Sequence, residues 1–120
     1  MSYTKKDLEP LVRGDDWTIK CLITSGGSAV DITGYRYTMT LKSNIDATDP
    51  GDAQSTTGVL GNTADSQAGI VYLNFTNAQT SVLQAQTYNY DIQQIDGTGA
   101  VQTLFIGRVK VDKDVTLTIA

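Results

Sequence analysis

The side chains best able to do chemistry in this sequence are aspartates, one cysteine and a set of tyrosines, because the chain has no histidine. Histidine is the usual base for a serine or cysteine nucleophile and the commonest metal ligand, so both chemistries lose their main component. Glu9 is the only glutamate, which leaves a paired-carboxylate hydrolase to two aspartates. Asp15 and Asp16 are adjacent, so on a strand they would point to opposite faces, and Asp91 could face outward on the spine with no second catalytic carboxylate identifiable from the sequence. Asp46, Asp49 and Asp52 recur at three-residue spacing. Calcium takes oxygen ligands, but the alternate-position pattern and closing glutamate of an EF-hand are missing, so these carboxylates read as a solvated loop. Ser25-Gly26-Gly27-Ser28 lacks the Gly-Lys-Ser/Thr ending of a phosphate loop and reads as a turn. The expectation is therefore a protein that is not an enzyme, with no catalytic, cofactor-binding or metal-binding residue.

Three further features have structural explanations. Cys21 lies mid-strand between apolar neighbours and reads as a small buried hydrophobe. Arg13-Gly14-Asp15 matches an integrin-binding tripeptide, yet Gly14 can simply turn the chain into a strand while Asp15 or Asp16 bonds turn amides. Asn74-Phe75-Thr76 matches a glycosylation acceptor, which is idle without secretion.

Composition narrows the function classes. A net charge of −4 and a pI near 4.5 argue against nucleic acid or an anionic membrane as partner. No apolar run approaches a membrane span. Residues 1–10 carry Lys5 and Lys6 with no apolar core after them, unlike a signal peptide. A single cysteine forms no internal bridge. At 120 residues the chain is one domain, able to bury roughly two-thirds of its unfolded surface without a staple.

The elements that must position these residues are strands. Trp17, Ile19, Cys21 and Ile23 share one face, with Thr18 and Lys20 opposite. Tyr35, Tyr37, Met39 and Leu41 line one face of a second strand, against Arg36, Thr38, Thr40 and Lys42. Residues 69–75 form another. The spine is a hairpin over residues 88–111, reversing at Asp96-Gly97-Thr98-Gly99, where both glycines can take positive φ. Leu104-Phe105-Ile106 is apolar throughout and predicts cover on both faces. Gly107 suggests a bulge or a close backbone approach. Residues 77–84 read as one or two helical turns with Asn77 as N-cap. Residues 44–68 are too long for a structureless loop, which predicts a short strand near 55–60. Val115-Thr116-Leu117-Thr118-Ile119 alternates and closes a sheet. Residues 1–10 form an N-terminal arm, with Leu8, Leu11 and Val12 available to dock that end onto the body or a neighbour. Residues 11–120 form a single β-sandwich domain.

About seven short strands and one short helix in roughly a hundred residues predict an all-β, two-sheet immunoglobulin-like β-sandwich. Tyr88 follows a helical corner at the start of a late strand. There it is either a tyrosine corner, its hydroxyl bonding a backbone group upstream, or a plain core tyrosine.

The motifs also come in a recognisable order. Arg13-Gly14-Asp15-Asp16-Trp17-Thr18-Ile19 opens the first main strand, and Ala29-Val30-Asp31-Ile32-Thr33-Gly34-Tyr35 leads into the next. Gly69-Ile70-Val71-Tyr72-Leu73 and Thr87-Tyr88-Asn89-Tyr90-Asp91-Ile92 follow, then Gly107-Arg108-Val109-Lys110-Val111 and Asp114-Val115-Thr116. This series resembles the small β-sandwich modules of tailed-bacteriophage virions, especially the N-terminal module of baseplate upper proteins. The resemblance implies a structural virion protein, assembled in the host cytoplasm. Its partners would be other virion proteins and copies of itself, and exposed edges and the 44–68 loop would make the contacts. It implies a place in the tail or baseplate, or alternatively on the capsid surface as a decoration (cement) protein. A different class is a carbohydrate-binding sandwich, presenting Tyr35, Tyr37, Tyr72 or Tyr90 to a host surface glycan.

Overall fold

The computed structural model describes residues 4–5, 7–44, 51, 53–59 and 63–113. Ten strands and two short helices occur among them, in the order β1 (Thr4–Lys5), β2 (Leu11–Val12), β3 (Trp17–Leu22), β4 (Thr24–Ser25), β5 (Ser28–Ala29), β6 (Arg36–Lys42), β7 (Ala53–Gly58), α1 (Ala64–Gln67), β8 (Ile70–Phe75), α2 (Asn77–Thr80), β9 (Thr87–Ile95) and β10 (Val101–Asp112). The larger sheet has the order β1-β10-β9-β6-β7, with β2 also paired to β10. The smaller sheet is the antiparallel pair β3-β8.

Alternation decides which side chains meet between the sheets. On β3, Trp17 and Cys21 are buried, Ile19 is half-buried, and Thr18, Lys20 and Leu22 face out. On β8, Val71, Leu73 and Phe75 turn inward, opposite Tyr37, Met39 and Leu41 of β6 and Tyr88, Tyr90 and Ile92 of β9. Burying one such side chain contributes about 1.5–3 kcal/mol, so one continuous core holds both layers. Trp17 lies directly across from Phe75, their rings edge to face at 5.6 Å between centroids. The chain is an all-β, immunoglobulin-like two-sheet sandwich: β3 and β8 form one sheet, and β6, β9 and β10 with an added β7 form the other. Tyr88 completes the pattern, since its hydroxyl donates to the Gln84 carbonyl at 2.8 Å as a tyrosine corner does.

Several expectations need correction in detail. The turn between β9 and β10 uses positive φ at Gly99 (+90°) but not at Gly97. Asp96 supplies the missing constraint, accepting from Thr98 N at 2.9 Å, Thr98 Oγ1 at 2.6 Å and Ala100 N at 3.0 Å. The register of the hairpin slips between Thr103 and Phe105, so the extra residue is Leu104, while Gly107 pairs regularly with Tyr90. Leu104, Phe105 and Ile106 are each half-buried rather than covered on both faces.

Helix α2 covers only Asn77–Thr80, and its N-cap is Thr76, not Asn77. Thr76 Oγ1 accepts from Gln79 N while the Gln79 side chain accepts from Thr76 N, a capping box. A second such box, Thr63 with Ser66, starts α1, an element without apolar periodicity to reveal it. Within the 44–68 stretch the expected strand is present as β7, displaced to Ala53–Gly58 and paired with β6. Asp46, Asp49, Asp52 and the strand expected over 115–119 lie outside the described residues.

The N-terminal arm lies along β10 of its own chain. β1 and β2 both pair with β10 in parallel. Leu8 N donates to Arg108 O at 2.9 Å, and Arg108 N donates to Asp7 Oδ1 at 3.1 Å. Leu8 and Leu11 pack against the core, whereas Val12 stays exposed. These bonds occupy backbone groups of β10 that would otherwise form an open sheet edge.

Candidate functional site: the faces and flank of the sandwich

The singled-out aspartates do not converge. Gly14 has φ +87° and turns the chain from β2 into β3. Its amide donates to Thr80 Oγ1 at 3.1 Å, and Thr80 Oγ1 donates to Asp15 O at 2.7 Å. Asp16 Oδ1 accepts from Asn77 N at 2.6 Å, at the start of α2 and 61 positions away, instead of bonding its own turn. The Arg-Gly-Asp triplet is thus built into a joint between the β2–β3 turn and α2. Asp91 sits in β9, on the face turned away from the core. Among the described residues no three His, Cys, Asp or Glu side chains come together as a metal site, and no helix is long and apolar enough to cross a membrane. Cys21 is buried. Asn74 faces out, and its Oδ1 accepts from Thr18 Oγ1 at 2.9 Å.

The tyrosines do not form one platform. Tyr37 and Tyr90 are buried, and Tyr37 donates to Gln94 Oε1 at 2.8 Å. Burial holds the Tyr37 hydroxyl well above its ordinary pKa, and also pushes Tyr90 up to about 12. Tyr35 is half-buried. Tyr72 alone of the four has an exposed ring, on the outside of the smaller sheet.

Tyr72 belongs to an apolar patch that sequence reasoning missed. β3 and β8 pair Leu22 directly with Ile70 and Lys20 with Tyr72. All four side chains leave the same face of a two-stranded sheet. Leu22 is 54% exposed and Tyr72 39%. The signal was present as the apolar residue on the wrong parity at Leu22, beside an otherwise polar outward row.

The outer face of the larger sheet is the opposite in character. Thr40, Lys42, Gln54, Asn89, Asp91 and Ile106 line an open depression of about 360 Å³. Gln54 Nε2 donates to Thr40 Oγ1 at 2.9 Å, and the Thr38 and Thr56 hydroxyls bond at 3.1 Å. Cross-strand bonds of this kind fix the rotamers and present a rigid polar surface.

The third opening is the flank between the sheets. β3 pairs with β8 on one side only among the described strands. Beneath its other edge a groove of about 230 Å³ is lined by Leu8, Ile19, Cys21, Ile92 and Phe105 among others.

No protein-family model and no curated protein matches the sequence. Among solved structures 38 chains match. One comes from the "Crystal structure of ICOS in complex with ICOS-L and an anti ICOS-L VNAR domain", with 11% identity and a TM-score of 0.47. The match covers 93% of this chain and 56% of that one, so this chain spans little more than half of the matched chain.

Proposed function

We propose that the chain is a non-enzymatic structural protein of a tailed-phage virion, which docks onto other virion proteins in the tail or baseplate. The observation that carries the reading is the outer face of the smaller sheet, where exposed Leu22 and Tyr72 flank half-buried Ile70. Single exposed apolar residues are ordinary, but Leu22 and Tyr72 adjoining a half-buried Ile70 on one flat face favour a protein partner. Tyrosine is also enriched among residues that dominate binding energy. The motif order that resembles virion β-sandwich modules supports the same reading. In a particle many copies stand side by side, and a weak contact per copy is multiplied by avidity.

The test is to locate the chain in purified particles by electron microscopy of a tagged copy, and to repeat it with Leu22→Ser/Tyr72→Ser. Tail density that disappears in a folded double variant is the expected result. Density on the head would reassign the chain to capsid decoration. Absence of the natural chain from particles would end the virion reading.

The polar depression on the larger sheet favours a second reading, binding of a host surface glycan through hydroxyl, amide and carboxylate groups. A glycan array probed with the natural chain and with Asn89→Ala tests it. Binding that Asn89→Ala abolishes supports this reading, and a blank array removes it.

A further inference from the structure

Strand β7 ends the larger sheet on the side away from β10, and hydrogen bonds fix the phase of its backbone. Val59 N donates to Tyr35 O at 2.8 Å, continuing the ladder in which Thr57 faces Tyr37 and Ser55 faces Met39. Bonded pairs alternate along an antiparallel ladder. Residues 53, 55, 57 and 59 therefore bond to β6, while Gln54, Thr56 and Gly58 direct their N–H and C=O groups to the opposite side. Gln54 O accepts from Gln79 Nε2 of α2 at 3.1 Å rather than from β6, as this phase requires.

The rest of that row meets solvent. Thr56 and Gly58 are both exposed, and the surface of a glycine is all main chain. The smaller sheet lies under β7 and not beside it. Thr57, on the inward row with Tyr37, donates its hydroxyl to Tyr72 O of β8 at 3.2 Å. β7 also has no charged residue and no proline, the residues that usually blunt an exposed edge.

This row is complementary to itself. Antiparallel pairing about a two-fold axis at Thr56 sets Thr56 against its own equivalent and Gln54 against Gly58 on both sides. Each pair exchanges two backbone bonds, about six in all. Gly58 leaves room for the Gln54 side chain opposite it. The Thr38 and Thr56 hydroxyls already bond at 3.1 Å, and the axis would continue that row of threonines into the second copy. Each copy carries a net charge of −4, so two copies repel through most of their surface, whereas β7 brings no charge to the contact.

We propose that the outer edge of β7 binds the same edge of a second copy of this chain, joining the two larger sheets into one. This goes beyond the virion reading and concerns the isolated chain, so either can fail without the other.

The purified natural chain tests it by analytical ultracentrifugation over a range of concentrations. Dimers that increase with concentration are expected, with amide exchange at Thr56 and Gly58 slowed roughly tenfold or more as they form. Thr56→Lys and Thr56→Asp each set like charges against one another at the axis, and each is expected to weaken dimerisation roughly tenfold or more. An equal mixture of the two variants is expected to restore it, which misfolded chains could not do. Leu22→Ser/Tyr72→Ser, on the outer face of the smaller sheet, is expected to leave dimerisation within about twofold of the natural chain. A natural chain that stays monomeric up to millimolar concentration would overturn the proposal. So would dimers whose Thr56 and Gly58 amides exchange as in the monomer, or dimers that both Thr56 variants keep and Leu22→Ser/Tyr72→Ser loses.

Discussion

The hydroxyl of Thr80 sits 3.1 Å from the Gly14 amide and ties the first tight turn of the chain to helix α2. Both residues are buried, and the same hydroxyl donates onward to Asp15 O. Thr80→Val keeps the shape but leaves the Gly14 amide without its acceptor. A buried donor left in that state costs about 1–3 kcal/mol. Denaturant unfolding is expected to show a loss of about 2 kcal/mol for Thr80→Val and a smaller loss for Thr80→Ser, with similar slopes.

Tyr88→Phe removes the bond to the Gln84 carbonyl and nothing from the core, because the ring is retained. Gln84 is exposed, so water can replace the lost donor there. A loss of about 1 kcal/mol is expected, the net worth of an ordinary hydrogen bond. Thermal unfolding checks it, and a loss near zero would reduce the tyrosine corner to a packing feature.

Gly69→Ala and Gly34→Ala separate backbone strain from collision. Both glycines have positive φ, +74° and +86°. A side chain in the left-handed region costs about 1–2 kcal/mol by itself. A Cβ at Gly34 meets open space, whereas at Gly69 it runs into the carbonyl oxygens of Ile23 and Val30. Gly34→Ala should cost about 1 kcal/mol, and Gly69→Ala at least about 2 kcal/mol, with poorer yield of folded protein.

Acid should loosen two turns. The Thr98 hydroxyl, then the Ala100 and Thr98 amides, hold the Asp96 carboxyl below its usual range, and Thr33 does the same for Asp31. A depressed folded pKa stabilises the fold fully above the unfolded value of about 3.9, and the gain is lost as pH falls through the folded value. Stability is therefore expected to fall below about pH 4. Asp96→Asn keeps an acceptor oxygen but removes the titration, and should make the acid limb of an unfolding-versus-pH curve shallower.

Alkali acts on the core through the opposite sign. Burial raises Tyr37, and raises Tyr90 to about 12. A raised folded pKa contributes stability that is complete below the unfolded value near 10 and lost as pH rises through the folded one. Ultraviolet titration should show these two tyrosines ionising only above the ordinary phenol range near 10, together with loss of structure. Tyr90→Phe should retain more stability than the natural chain above about pH 10.

The sequence by itself determined the strands and which of their side chains turn inward. Alternation is a local property: Trp17, Cys21, Tyr37, Met39, Val109 and Val111 each carry their burial in their own neighbourhood. It also placed Tyr88 where a hydroxyl could reach back to the preceding turn. What lies on the outside and between elements was decided only by tertiary structure. Nothing near Asp16 marks Asn77 as its partner, and nothing near Leu22 announces that Ile70 stands opposite. Where the arm docks was not legible because its two short pairing segments are stabilised by β10, whose residues come about a hundred positions later. Helix α1 stayed hidden because its start rests on a Thr–Ser capping box in a polar stretch. Local periodicity selects a buried face at once, but cross-chain hydrogen bonds and surface neighbours depend on which distant strands pair, and one sequence window holds no term for that.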